Sequence, residues 1–328
     1  MLFRSDDRSR LIGWSNFGAY KATQLKSYIG IKVYGQGHVI CHNYVAYFHD
    51  GICISTYGTP PSDPTKQAVA IDIYNNDIFV MVDDFIESDG GVHNIRVMRN
   101  RGFNAAQHGL SAQPAFGGPV YFYRNILYNV SPITGGGGAL KTGNGSPAGV
   151  LIYHNTFITE DSNARGYSNW HYRNNLVFGT NHPDKPVLGN LSFTSYTTLD
   201  YDGYRPNPGD KPQFVWQAPA NGVLRDYALT TTGSQNFRTL AEFQRATGQE
   251  AHGVLVDYDI FKNVRPPDPT KPHLIYEIGD MNFALRAGSK AVDAGCLLPT
   301  VNNDFTGRAP DLGALELERA VPVYGPRN

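Results

Sequence analysis

A short motif that ends in Asn recurs six times in this chain of 328 residues, and it restricts the fold more than any other feature. In most copies, apolar residues lie five and three positions before the Asn, separated by a polar or aromatic residue. The copies are VICHNYV, IDIYNND, IRVMRNR, VYFYRNI, VLIYHNT and NWHYRNN, with their Asn at Asn43, Asn76, Asn100, Asn125, Asn155 and Asn174. Two of the intervals are close to 24 residues, and the longer ones indicate loop insertions in a basic repeat.

The alternation within each copy predicts a β-strand with one apolar face. Pairs such as Ile71/Ile73 and Ile95/Val97 fall on the same side of a strand because side chains alternate with period two. A single coil cannot cover this face, so the coils must stack. We expect the Asn to occupy the bend after each strand, because Asn tolerates left-handed backbone. The sequence therefore predicts an all-β fold, a right-handed parallel β-helix (solenoid). Unrelated antiparallel hairpins account less well for six copies with the same offsets.

The pattern also predicts the domain organisation. We expect one β-helix domain over residues 1–328, with regular coils at about 30–180 and irregular coils with a C-terminal cap at about 181–328. The segment LAEFQRA predicts a helix at 239–247. The N-terminus begins abruptly and lacks the apolar core of a signal peptide, so we expect an N-terminally truncated fragment.

Composition excludes several classes of protein. The formal net charge is −1, so no basic field predicts binding to nucleic acid. The chain has no run of eighteen apolar residues, so we expect no membrane span. Three cysteines give no disulfide framework, and no phosphate loop, zinc-binding spacing or nucleophile elbow is present. We expect no organic cofactor and a monomer.

A second, shorter strand follows each of four Asn copies. The aligned segments are GICIS at 51–55, FIESD at 85–89, GLSAQ at 109–113 and ALKTG at 139–143. If Ile52, Ile86, Leu110 and Leu140 point inward, an outward column contains Cys53, Glu87, Ser111 and Lys141. Neighbouring members of this column are expected about 4.8 Å apart.

These features resemble the right-handed parallel β-helix proteins of the pectate-lyase-like superfamily. The resemblance rests on the six copies, on HNIRVMRNRGFN, GGPVYFYRNILYN and GVLIYHNTF, and on the C-terminal SKAVDAG and DFTGRAPDLGALE. It covers residues 30–180 well and 250–325 more loosely. It implies a secreted, periplasmic or cell-surface protein that binds a polysaccharide or oligosaccharide. The superfamily includes lyases, hydrolases, esterases, epimerases and non-catalytic proteins, so the fold alone does not select an activity.

The acidic segment at 83–89 is the first candidate site. Asp84, Glu87 and Asp89 would offer three hard oxygen ligands, which predicts a Ca²⁺ site. In the superfamily such a cation neutralises a uronic-acid carboxylate and acidifies the neighbouring C5 proton. Lys141, two rungs from Glu87, is the expected catalytic proton acceptor, provided that burial lowers its pKa. The alternative is that the acids are merely solvated and that Lys141 neutralises them.

Glu87 and His108 are candidate catalytic residues beside Lys141, since His108 is the best-placed titratable imidazole; the alternative is that His108 is an ordinary surface residue.

Four further residues are candidates for binding the substrate. Ser111 and Gln113 are suited to hydrogen-bonding sugar hydroxyls, and Arg99 and Arg124 are suited to gripping anionic groups of a substrate. The alternative for the two arginines is that the N-terminal segment or residues 181–250 cover this face.

The calcium-dependent lyases of the superfamily that act on alginate or chondroitin differ from this chain in two respects. His93 stands where they carry a Lys, and Ser111-Ala112-Gln113 replaces their Arg-bearing stretch. The expected function is nevertheless β-elimination on an acidic polysaccharide by a lyase. Two alternatives stay open. One is a glycoside hydrolase that pairs Glu87 with Asp89 or Asp84 at the inverting distance. The other is a non-catalytic surface or binding β-helix.

Overall fold

The computed structural model describes residues 1–4, 28–54, 60–133, 136–142, 146–219 and 233–327. Its strands are β1 (Leu2–Arg4), β2 (Ile29–Lys32), β3 (Val39–Cys41), β4 (Tyr44–Phe48), β5 (Asp50–Cys53), β6 (Ala68–Tyr74), β7 (Asp77–Met81), β8 (Asp84–Glu87), β9 (Gly91–Met98), β10 (Arg101–Ala105), β11 (His108–Ser111), β12 (Phe116–Tyr123), β13 (Ile126–Val130), β14 (Leu140–Lys141), β15 (Ala148–Tyr153), β16 (Thr156–Ile158), β17 (Asp161–Arg173), β18 (Leu176–Phe178), β19 (Leu188–Ser192), β20 (Thr198–Asp200), β21 (Gly203–Arg205), β22 (Phe214–Gln217), β23 (Gln235–Phe237), β24 (Val254–Leu255), β25 (Phe261–Asn263) and β26 (Asn282–Leu285).

The described residues also contain short helices. One α-helix, α1 (Leu240–Thr247), begins after Thr239, whose hydroxyl accepts from the backbone N–H of Glu242 while the Glu242 side chain accepts from that of Thr239. This reciprocal capping fixes the start of the helix and confirms the helix expected at 239–247. Three single-turn 3₁₀ helices lie at Pro64–Lys66, Tyr258–Ile260 and Ile278–Asp280.

The strands form long parallel sheets, and the structure is all-β and consistent with a β-solenoid. Sheet A contains β1, β4, β7, β10, β13, β16, β18, β21 and β24, in that order. Sheet B contains β2, β5, β8, β11 and β14, and sheet C runs from β3 through β6, β9, β12, β15, β17, β19 and β22 to β23. One coil therefore takes a strand of sheet C, then one of sheet A, then one of sheet B, as in β6, β7 and β8.

The interior of the coils is apolar because equivalent residues stack in register. Ile71 pairs with Ile95, which pairs with Val120, which pairs with Val150, and all four are fully buried. Each added coil therefore buries another apolar rung, which is the interaction that stabilises stacked repeats.

A ladder of Asn side chains runs along the corner between sheets C and A. The backbone N–H and the Nδ2 of each Asn donate to the side-chain oxygen of the next member, over 2.6–3.1 Å. The members are Asn43, Asn76, Asn100, Asn125, Asn155, Asn175 and, at the end, Asp202. The ladder therefore continues past residue 180, where the sequence pattern fades.

Two expectations about this corner are wrong. The sixth ladder member is Asn175, not Asn174, since Tyr153 pairs with Arg173 and the ladder bonds of Asn155 go to Asn175. The left-handed residue is the one before each ladder Asn, with φ between 52° and 60°, as in Arg99, Arg124 and Asn174. The side chain of the Asn then forms the ladder hydrogen bonds. These bonds offset the free-energy cost of the left-handed conformation at the residue before it.

The C-terminal part of the chain packs on the outside of sheet A. A second apolar core forms there, where Phe103 and Tyr128 of sheet A contact Tyr276 and Phe283. Residues 311–327 then run back along the ladder corner. The N–H of Gly313 donates to the carbonyl of Asn174, and the N–H of Gly325 donates to that of Asn75. We call residues 302–327 the C-terminal strap.

Among the described residues, every helix is too short or too polar to span a lipid bilayer.

Candidate functional site

The outer face of sheet B carries the predicted column. Cys53 pairs with Glu87, Glu87 with Ser111, and Ser111 with Lys141, while Ile86, Leu110 and their neighbours fill the interior. The sequence-derived alignment of this column is confirmed. What the column does depends on the groups that surround it.

Lys141 reaches back across two strands to a pair of adjacent aspartates. Its Nζ lies 2.7 Å from Oδ2 of Asp84 and 3.4 Å from Oδ2 of Asp83. Asp84 is fully buried, and burial and the charge of Asp83 raise its pKa well above the ordinary value, so its ionised form depends on the contact with Lys141. Burial disfavours the ammonium form, but the charges of Asp84 and Asp83 outweigh it and hold the pKa of Lys141 above its ordinary value. Lys141 is therefore a cation that neutralises acids, an environment that does not suit a proton acceptor.

Asp83 lies between Lys141 and His108. The Nδ1 of His108 is 3.3 Å from Oδ1 of Asp83. Burial acts to raise the pKa of Asp83, but the hydrogen bond from His108 and the charge of Lys141 lower it to about 2. Burial lowers the pKa of His108, so its imidazole is neutral at pH 7. Asp83 is thus an ionised carboxylate that is oriented by two neighbours.

Glu87, at the other end of β8, has the opposite electrostatic character. Its Oε2 accepts a hydrogen bond from the thiol of Cys53 at 2.7 Å. Burial and the charge of Asp50 raise the pKa of Glu87. Burial and Glu87 also raise the pKa of Cys53 well above its usual value, so the sulfur stays protonated. The cluster therefore holds one carboxyl group that favours ionisation and another that favours the acid form.

Asp89 and Ser111 bind each other and not the solvent. The hydroxyl of Ser111 donates to Oδ1 of Asp89 at 2.5 Å, and the backbone N–H of Gln113 donates to the same oxygen at 2.7 Å. All three residues are buried. They connect the ends of β8 and β11, and their polar groups do not face a ligand on the outer surface of sheet B.

Sequence reasoning missed Asp50, His49 and Tyr28, which border the same cluster. The Nδ1 of His49 lies 2.9 Å from Oδ1 of Asp50, and the ring of Tyr28 stacks on that of His49. A signal was present, because Asp50 precedes the aligned segment GICIS just as Asp84 precedes FIESD. No motif marks Tyr28, which reaches the site only because β2 pairs with β5.

Three groups of side chains bring potential metal ligands within 4.8 Å of one another. They are His49, Asp50 and Asp83; Asp50, Cys53 and Glu87; and Asp83, Asp84 and His108. The predicted calcium ligands Asp84, Glu87 and Asp89 do not form one such group, since their carboxylates contact Lys141, Cys53 and Ser111 respectively. Calcium binding stays a prediction, and the oxygens of Asp50 and Asp83 fit a hard cation better than the protonated sulfur of Cys53.

The predicted substrate-binding arginines lie elsewhere, on the ladder corner. Arg124 is buried and binds Asp304 with both terminal nitrogens, at 2.7 and 3.2 Å. Arg99 lies 4.0 Å from the same carboxylate. The C-terminal strap thus covers this face, whereas the cover expected from the sequence was the N-terminal segment or residues 181–250.

Comparisons with known proteins find no protein-family model that matches this chain and no curated protein that is similar to it.

Proposed function

We propose that this protein is a glycoside hydrolase whose site is the outer face of sheet B, with Glu87 as the acid and Asp83 as the base. The observation that carries the proposal is the electrostatic contrast between two partly exposed carboxyl groups at the two ends of one strand. The pKa of Asp83 is lowered to about 2, while that of Glu87 is raised. In glycosidases, the environments of two carboxyl groups shift their pKa values in opposite directions, so that one acts as the acid and the other as the base.

Each role follows from the contacts of the side chain. The raised pKa of Glu87 favours its acid form, which can give a proton to a departing sugar oxygen. Asp83, fixed by His108 and Lys141, can take a proton from water or stabilise positive charge on the sugar ring. Asp50 has ligand atoms within 4.8 Å of both residues, so the three carboxyl groups lie within one small site.

Charge supports a neutral glycan as the substrate. Among the described residues of this site, the carboxyl groups of Asp50, Asp83 and Asp84 face a single ammonium group, that of Lys141, and Glu87 adds no positive charge. An anionic polysaccharide would be repelled by this excess of acid unless a cation bridged the two.

A second candidate function is the β-elimination expected from the sequence, on an acidic polysaccharide bridged by Ca²⁺. The specific observation in its favour is the set of converging oxygens around Asp50 and Asp83. In this alternative His108, with its lowered pKa, is a better proton acceptor than Lys141.

We also propose the finer description of the fold and setting. The coil connections are right-handed, as nearly all parallel crossovers are, and the chain is a pectate-lyase-like β-helix. We propose that it acts as a monomer outside the cytoplasm.

The test is to incubate the protein with neutral and acidic polysaccharides, with calcium and separately with a chelator. Reducing ends and ultraviolet absorbance are followed in the same reactions. New reducing ends on a neutral glycan, without absorbance and in the presence of chelator, support hydrolysis. Absorbing unsaturated ends that require calcium support elimination. Silence across the panel contradicts both and favours a binding protein.

A further inference from the structure

We propose that Tyr28 is a stacking platform for a sugar ring at the edge of the acidic cluster, one subsite away from the bond that is cleaved. The inference rests on the proposed function, since it deepens the description of the same site. It adds a specificity-determining residue that contributes binding of the apolar face of a sugar, while the carboxyl groups carry out the reaction.

The backbone fixes Tyr28 beside the site. Its carbonyl accepts the N–H of Asp50 at 2.9 Å, and the next residue, Ile29, pairs with Asp50 in the parallel register of β2 and β5. Neighbouring strands lie about 4.8 Å apart, so Tyr28 is one rung from the strand that carries Asp50. Its position therefore follows from the stacking of the coils.

The ring of Tyr28 is oriented by a second aromatic group. It lies parallel to the imidazole of His49, with centroids 4.3 Å apart and an interplanar angle of 10°. His49 is buried and is held by Asp50 through its Nδ1. One face of Tyr28 is therefore covered by a ring that is itself immobilised.

Among the residues that the structure describes, no second ring stacks on the other face of Tyr28. Tyr28 is 52% exposed although His49 covers one side of its ring, so the exposed area lies on the opposite face and edge. The Tyr28 ring, held on one face by His49, presents the negative π surface of its other face to solvent. The C–H groups on one side of a pyranose ring carry the complementary apolar surface.

The acids of the site lie close to this ring. Burial and the charges of Asp50, Asp83 and Glu87 raise the pKa of Tyr28, which places its hydroxyl within the field of the same carboxyl groups. A sugar that stacks on Tyr28 is thus beside the groups proposed to act on its glycosidic bond. A cation bound here would contact only the carboxylates, whereas a neutral sugar would also gain binding energy from stacking on the Tyr28 ring.

The test compares Tyr28→Ala with Tyr28→Phe, and uses Tyr196→Ala as the matched control. Tyr196 is 51% exposed and lies in the loop between β19 and β20. On the glycan that the wild type cleaves, Tyr28→Ala is expected to raise KM on the order of tenfold with a smaller change in kcat. Tyr28→Phe keeps the ring and is expected to stay near the wild-type KM, as is Tyr196→Ala.

Saturation-transfer NMR with oligosaccharide fragments of the panel measures binding without turnover. The proposal expects transfer to the fragment in the wild type and in Tyr28→Phe, and its loss in Tyr28→Ala. Equal transfer and equal KM in Tyr28→Ala would overturn the platform, even if loss of activity in Glu87→Gln supported the hydrolase. Absence of both cleavage and transfer across the panel would overturn the function and the platform together.

Discussion

The ammonium nitrogen of Lys141 lies 2.7 Å from Oδ2 of Asp84, although the two residues are separated by 57 positions in the sequence. Asp84 is fully buried, and the side chain of Lys141 is 15% exposed. We therefore expect Lys141→Met to lower the free energy of unfolding by about 3 kcal/mol, because it leaves a buried carboxylate without its cation. Urea denaturation measures the loss. Lys32→Met is the control, since Lys32 occupies the same column on β2 but is exposed. Equal losses in both variants would contradict a specific ion pair.

The ladder makes a separate stability prediction. The side chain of Asn100 accepts from the N–H and Nδ2 of Asn76 and donates to Ile73 and Asn125. Asn100→Ala leaves these buried groups without partners, so we expect a loss of about 3 kcal/mol in the free energy of unfolding. The exposed Asn236 in β23 gives the control variant Asn236→Ala, which is expected to change stability by less than about 0.5 kcal/mol. If Asn100→Ala unfolded at the same urea concentration as the wild type, the ladder would not be stabilising.

The end of the ladder predicts a dependence on pH. Asp202 is fully buried beside Glu250, and burial raises its pKa to about 6 from an ordinary value of 3.8. The folded state therefore binds more protons than the unfolded state between these values, so stability falls as pH rises from about 4 to 6.

Asp202→Asn keeps an oxygen for Asn175 and removes this charge. We expect the variant to be more stable than the wild type at pH 8, by on the order of 1–2 kcal/mol, and to lose that advantage at pH 4. Thermal unfolding at the two pH values measures the difference, with the exposed Asp259→Asn as control. A variant that is less stable than the wild type at pH 8 would contradict the assignment.

Besides its backbone hydrogen bonds, the C-terminal strap contributes one carboxylate that binds the arginines of the ladder corner. Asp304 binds Arg124 with both oxygens and lies near Arg99. Because Asp304 is half exposed, we expect Asp304→Ala to cost only about 1 kcal/mol. The more sensitive measurement is amide hydrogen exchange, which should become faster in residues 302–327 and stay unchanged in the ladder. The control Asp210→Ala, in an exposed loop, should change the exchange rate in neither region. Unchanged exchange of the strap in Asp304→Ala would contradict the role of Asp304 in holding it.

The outward column was predictable because it depends on local alternation and on one offset from each Asn. The choice between Asn174 and Asn175 was not, because adjacent Asn residues fit the pattern equally well. Their roles are separated by the ladder bond of Asn175 and by the contact of Asn174 with Gly313 in the strap.

The partners of the candidate residues were the least predictable feature. Arg124 and Asp304 are 180 positions apart, so no local pattern joins them. Lys141 was placed two rungs from Glu87, but its long side chain reaches Asp84 instead, which the strand register alone does not determine. The hydrogen bond between Ser111 and Asp89, which turns both polar groups away from solvent, was equally unpredictable because it joins two neighbouring strands.

The most direct test of the account is the activity of Glu87→Gln and Asp83→Asn on the glycan that the wild type cleaves, with Asp259→Asn as a matched control. If Glu87 is the acid and Asp83 the base, each substitution should lower kcat/KM by about 100-fold or more while circular dichroism stays that of the wild type. The wild-type rate should also fall as pH rises through the raised pKa of Glu87, since the proton it donates is then lost. Full activity in a folded Glu87→Gln variant would contradict the assignment of Glu87 as the acid.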